Sequence, residues 1–210
     1  MTRVVRHGIM EAAARRRRPG RRRDSMTATG DLQTVLERIR RVRQIRQYRP
    51  DPVPTELVRQ LLEVARWTGS SRNTQPWHFI VIDDRGILER LSQLRPPIAW
   101  LASAPLGIAI VLDGQNQISE AYDEGRVTER LLIAAALLGL GGGVAWYGEA
   151  EQQAEAKRML GIPPERTARS IVAVGYARSI RDPRPSPVSG GRKPLTELVS
   201  HDRSGVPWQS

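Results

Sequence analysis

A sheet with helices on its faces is the fold class this sequence predicts, and three observations predict it. Apolar runs of strand character, "HFIVID" (78–83), "APLGIAIVLD" (104–113) and "ARSIVAVGYA" (168–177), alternate with stretches of helical periodicity. The chain has 210 residues, 40% of them apolar and 26% charged, enough for a domain with a sizeable core. No apolar run reaches the roughly 18 residues of a membrane span; "LLIAAALLGLG" (131–141) stops in glycines and reads as a buried core helix. Two helical runs precede the first strand, so a regular strand–helix–strand winding is not implied.

The elements follow in order. Leu32, Val35, Leu36, Ile39 and Val42 recur at helical spacing, until "YRPDPVP" breaks the run with three prolines. "TELVRQLLEVARW" restarts a helix with Val58, Leu61, Leu62 and Ala65 on one face; Thr55 suits its N-cap and Gly69 the position beyond its C-cap. The junction "SSRNTQPW" leads into "FIVI", which reads as a buried strand. "RGILERLSQL" is a short helix and "APLGIAIVLD" a second strand. A long helix runs from about Ser119 to Leu138, ended by Gly139 and the glycines at 141–143, after which "VAWYG" is extended. "AEQQAEAKRMLGI" is a helix with Gly161 near its C-cap, and "ARSIVAVGYA" is a further strand. The last 30 or so residues are rich in Pro, Arg and Gly, with one helical turn at "PLTELV".

Composition excludes several chemistries. Cysteine is absent, so disulfides, Cys-zinc sites, iron–sulfur clusters and a thiol nucleophile are excluded together. His7, His78 and His201 lie far apart with no metal-ligand spacing. The net charge of +11 is uneven: residues 1–25 hold nine arginines against Glu11 and Asp24, a net +7, which leaves a mild +4 for the rest. No apolar segment follows those arginines, so they do not read as an export signal. "MTATGDLQTVLERIR" from Met26 reads as an ordinary N-terminus. Residues 1–30 are accordingly set aside as an Arg-rich, disordered extension, and residues 31–210 are taken as the folded domain. Nucleic acid is expected to bind, if at all, only through that tail.

Three stretches carry candidate chemistry. Ser70, Ser71, Asn73 and Gln75 crowd hydroxyls and amides into a helix-to-strand junction closed by Pro76 and Trp77. "RVRQIRQY" (41–48) gathers Arg41, Arg43 and Arg46, and "GGRKPL" (190–195) offers Arg192 and Lys193. Two basic clusters remote in sequence can meet on one phosphate, Arg as a bidentate donor and Lys as a point charge. The glycines at 139 and 141–143 do not make a dinucleotide fingerprint, because Val144 and Trp146 occupy the positions that pattern needs and the run follows a helix. They do leave room for a flat ligand to approach.

Taken together, the order is specific: Arg-x-x-Arg-x-aromatic before "PVP", a helix ending in "SSRNTQPWHF", a helix ending in "LGLG" with Trp and Gly beyond, then "GY", then "RKPL". This order resembles the nitroreductase family of flavin-dependent oxidoreductases over residues 35–200. The resemblance implies an α+β fold with a central, mostly antiparallel sheet flanked by helices, in an intertwined homodimer with FMN at the interface. Ser70, Ser71 and Asn73 would hold the flavin of the neighbouring subunit, and Arg43, Gln44, Arg46, Arg192 and Lys193 would hold FMN, with the arginines at its phosphate. Tyr147 and Gly148 would lie near the reactive ring nitrogen. NADH or NADPH would deliver hydride, and a nitroaromatic, quinone or enone would accept electrons in the cytoplasm. The flavin would carry the chemistry, so no catalytic side chain and no metal are expected.

Two departures stand out. Where the family commonly has Arg-Arg-Ser, this chain has Val42, Arg43 and Gln44, so one phosphate ligand is lost or supplied by Arg41. Glu149 follows Gly148, where substrate preference is open to change. Reductive dehalogenation and fragmentation of the flavin are alternative chemistries on the same fold.

Overall fold

The computed structural model describes residues 27–179 and 192–208; the Arg-rich tail lies outside the described residues. The chain divides at Glu37 into two units, and the sheet with its covering helices belongs to the second. The helices are α1 (Thr27–Arg40), α2 (Thr55–Arg66), α3 (Arg85–Ser92), α4 (Gln117–Leu137), α5 (Ala150–Met159) and α6 (Leu195–Leu198). The strands are β1 (His78–Ile82), β2 (Leu106–Val111), β3 (Gly141–Trp146) and β4 (Ser170–Gly175).

The strands form a sheet in the order β1-β2-β4-β3, every pair antiparallel. Beyond β3, Gln44 forms a parallel bridge with Gly142, and the Ile45 N–H donates to the Gly142 carbonyl at 2.7 Å. The expected α+β architecture with a mostly antiparallel sheet is therefore present. Its two faces follow the period-two rule of strands. Leu106, Ile108 and Ile110 point to α2 and α4, where they meet Leu61, Ala65, Val127 and Leu131. Ala109, Ile171 and Ala173 point to the other side, against Leu88 and Leu91 of α3, Ala156 of α5, and Leu101, which lies between α3 and β2. Each fully buried Leu or Ile contributes roughly 1.5–3 kcal/mol of transfer free energy.

Several sequence expectations change here. The glycines 141–143 belong to β3 itself, so the described residues form four strands, not three with an extended exit. "FIVI" is the sheet's outer strand, and its Val81 is 40% exposed. Thr55 is the first helical residue of α2, after Pro54, with no side-chain cap. Gly69 does not close that helix in a left-handed conformation; a Cβ there would lie 2.8 Å from Nη2 of Arg126. The long helix begins at Gln117, two residues early, because Asn116 caps it by accepting from the N–H groups of Ile118 and Ser119. A 3₁₀ stretch, Pro96–Ser103, had no counterpart in the sequence reading. Gly161 does take the left-handed conformation, φ 65°, just after the α5 C-cap.

Candidate functional site

The junction after α2 is a braced loop. Arg130 donates from Nη1 to the Trp67 carbonyl at 2.6 Å, tying the end of α2 to α4. The Ser70 carbonyl accepts from the Asn73 N–H at 3.1 Å, and the Ser70 hydroxyl oxygen accepts from the Gln75 N–H at 2.8 Å. Those bonds hold a 3₁₀ turn, Ser71–Asn73, in which Arg72 (φ 50°) and Asn73 (φ 57°) are left-handed, followed by Gln75 (φ 47°). Asn tolerates that conformation, but Arg and Gln do so only at a cost of order 1–3 kcal/mol each. Strain of this kind concentrates where a segment serves a ligand. The side chains of Ser71 and Asn73 face solvent, while Pro76 is buried and anchors the start of β1.

The basic segment lies along β3. The Gln44 amide oxygen accepts from the Val144 N–H at 3.4 Å and from Nη2 of Arg46 at 3.0 Å. The Arg46 guanidinium stands 5.8 Å from the centre of the Trp100 ring, within cation–π range. Tyr48 donates to the Ile45 carbonyl at 2.7 Å, and burial holds its phenol above the usual range, so it stays a neutral donor. Arg43 turns the other way: its Nη1 donates to the carbonyls of Arg40 (3.0 Å) and Val42 (2.8 Å), at the end of α1.

At β3 the glycines make room for protein. A Cβ on Gly141 would lie 2.6 Å from Ile45, one on Gly142 2.7 Å from Leu132, and one on Gly143 2.2 Å from the Ile45 carbonyl oxygen. The run expected to admit a flat ligand therefore admits segment 44–48 on one side and α4 on the other. Tyr147 is a core residue with every polar group engaged. Its N–H donates to the Arg169 carbonyl, its carbonyl accepts from Gln153, and its hydroxyl reaches the Leu91 carbonyl at 3.5 Å. Gly148 follows, next to the Trp146 ring and Arg95, which donates to the Trp146 carbonyl at 2.9 Å and stacks 5.1 Å from that ring. Glu149 is the N-cap of α5.

The structure thus brings Gln44, Arg46 and β3 together and continues β3 to Tyr147 and Gly148. It records no hydrogen bond, among the described residues, from the Ser70–Asn73 loop or from Arg192 and Lys193 to that group. Arg192 and Lys193 are exposed, at the head of a terminal segment whose hydrogen bonds, among described residues, run within residues 194–206. Sequence reading missed Trp100 and Arg95, which stand on or beside the 3₁₀ stretch; only "RPPIAW", an arginine and a tryptophan flanking a proline pair, hinted at them. It also missed a buried pair: Arg169 Nε and Glu124 Oε2 at 2.8 Å, with the Ser170 hydroxyl on the other Glu124 oxygen at 2.5 Å.

Comparison with known proteins bears on the fold and the family. The model of the Nitroreductase family matches residues 39–102. A Methanothermobacter thermautotrophicus protein named "Putative NADH dehydrogenase/NAD(P)H nitroreductase" is 32% identical over 148 residues, 68% of this chain and 76% of that one. A Desulfovibrio desulfuricans structure, described as a putative nitroreductase in complex with FMN, is 29% identical, with a TM-score of 0.67 over 80% of this chain and 96% of that one. The 5,6-dimethylbenzimidazole synthase of Rhodospirillum rubrum is 28% identical over 65% of this chain and 78% of its own length. On the matching fold, the ordered motifs and this breadth of similarity, the chain belongs to the nitroreductase family.

Proposed function

We propose that this chain is an FMN-dependent oxidoreductase that works as a homodimer, oxidising NADH or NADPH and reducing small acceptors such as nitroaromatics, quinones or enones. The observation that carries the reading is the Ser70–Gln75 loop, kept strained at Arg72 and Gln75 while it presents Ser71 and Asn73 outward. Hydroxyls and an amide suit the carbonyl and ribityl groups of a flavin, and Arg46, held by Gln44 and Trp100, adds a fixed cation. The donor chemistry of these residues fits FMN. When bound, FMN supplies the two-electron chemistry that no side chain here supplies.

The chain's own residues divide the remaining work. Ser70 shapes the loop with its oxygen and keeps its hydroxyl hydrogen for the ligand. Ser71 and Asn73 donate to it, and the Gly148 N–H is the donor left at the end of β3, since that of Tyr147 is engaged. Arg43, Arg46, Arg192 and Lys193 are assigned to the phosphate. Arg192 and Lys193 sit in a segment with Leu195 and Leu198 more than 60% exposed and Trp208 at 45%. A second copy covering those side chains buries them and completes the site, in the manner of obligate dimers. With no cysteine, the chain needs no oxidising compartment, and the reading places it in the cytoplasm. Among the described residues no helix is long and apolar enough to cross a membrane. Similarity to the dimethylbenzimidazole synthase supports a second reading, fragmentation of the flavin; aerobic turnover that destroys the flavin would favour it.

Comparing FMN with riboflavin tests the assignment. A hydrogen bond to a charged group contributes roughly 1.5–3 kcal/mol. Arg46→Ala and Arg192→Ala are therefore expected to weaken FMN binding about 10- to 150-fold while changing riboflavin affinity far less. Equal losses for both ligands would remove these arginines from the phosphate.

A further inference from the structure

A polar cavity of about 420 Å³ is lined in part by Gly148, and its other walls have no role in the site above. Its volume lies in the roughly 300–1,000 Å³ range of small-molecule pockets. Lys157, Arg166 and Arg169 line it, with Gln117, against the single carboxylate of Glu165.

These cations keep donors for a ligand. Lys157 donates to the carbonyls of Pro164 (2.6 Å) and Arg166 (3.1 Å), neutral acceptors that leave its charge uncancelled. Arg166 pairs with Asp113 through Nη1 alone. Arg169 lines the wall while its Nε donates to Glu124. The neighbouring helix starts are already capped: Asn116 and Glu120 close the start of α4, and the start of α5 is closed by Gln152, whose Oε1 accepts from the Glu149 N–H.

We infer that this cavity binds the diphosphate of the reduced dinucleotide donor. Gly148 is shared by the cavity and the proposed ring site, so a dinucleotide whose nicotinamide reaches the ring site can lay its phosphates among Lys157, Arg166 and Arg169. The inference rests on the proposed flavin reading for the identity of the donor. The cavity's preference for a diphosphate is read from its own residues.

Two variants test it in the holoenzyme. Arg166→Ala removes a cation whose ion pair is partly exposed, so the fold is expected to tolerate it. Gln117→Glu sets a carboxylate on the cavity wall in the first turn of α4, where negative charge favours the helix. Both are expected to lower kcat/KM for NADH and NADPH by about tenfold or more. Both should leave 1-benzyl-1,4-dihydronicotinamide, which has the reacting ring and no phosphate, within about twofold. Calorimetric titration with ADP is expected to show the same loss of affinity, and inorganic phosphate to bind far more weakly than ADP. Equal losses for the dinucleotides and the benzyl donor would overturn the inference, as would unchanged ADP binding or phosphate binding as tight as ADP. The ADP titration needs no flavin, so a colourless protein that binds ADP here removes the flavin reading and leaves this one.

Discussion

Gly143 and Gly139 stand four residues apart and serve different ends. A Cβ on Gly143 would meet the Ile45 carbonyl at 2.2 Å, main chain against main chain, so Gly143→Ala must part β3 from the segment that carries Gln44 and Arg46. Such overpacking is expected to cost about 3 kcal/mol and to weaken FMN binding with it. Gly139 has nothing within 4 Å but holds φ 77°, so Gly139→Ala is expected to cost about 1 kcal/mol and to spare the cofactor. Denaturant midpoints with flavin titrations check both. The sequence makes the two glycines look alike, because what separates them is the approach of residue 45, nearly a hundred positions away. The hydroxyls and amide at 70–73, by contrast, were legible as a polar helix-to-strand loop. That Ser70 spends its oxygen on Gln75 was not, since the bond depends on left-handed backbone at three non-glycine positions.

Among the elements, α4 organises the most. It packs Val127 and Leu131 on the sheet, pins Trp67 through Arg130 and buries Glu124 against Arg169. Its start depends on Asn116, whose side chain accepts from Ile118 at 3.1 Å and Ser119 at 3.0 Å. Asn116→Ala is expected to cost about 1 kcal/mol, a fall in Tm of roughly 2–4 °C by calorimetry. The long helix was legible, but its first two residues were not, because its start is set by the Asn116 side chain, which accepts from Ile118 and Ser119, and not by a hydrophobic repeat. The edge position of β1 was hidden for a related reason. "FIVI" is as apolar as a central strand, and only the pairing order leaves one side of it uncovered. The 3₁₀ stretch escaped because "PPIAWLAS" has neither period.

At the scale of the whole molecule, the residues proposed for the phosphate lie on two separate segments, and Leu195 and Leu198 of the terminal segment are exposed. Removing residues 192–210 is expected to give a monomer that loses FMN, seen together by light scattering and flavin content. A stable truncated dimer with full flavin would detach the segment from both roles. The family was legible because its motifs keep their order along the chain, whereas the meeting of Arg46 with Trp100 or Gly148 with the polar cavity arises only in three dimensions. The absorption spectrum of the purified protein, recorded before and after anaerobic addition of NADH or NADPH, tests the central claim most directly. The account predicts a yellow protein holding FMN in stoichiometric amount, whose visible band bleaches when the donor is added. A colourless protein that takes up no FMN at micromolar concentration, or bound FMN that neither donor reduces, would contradict it.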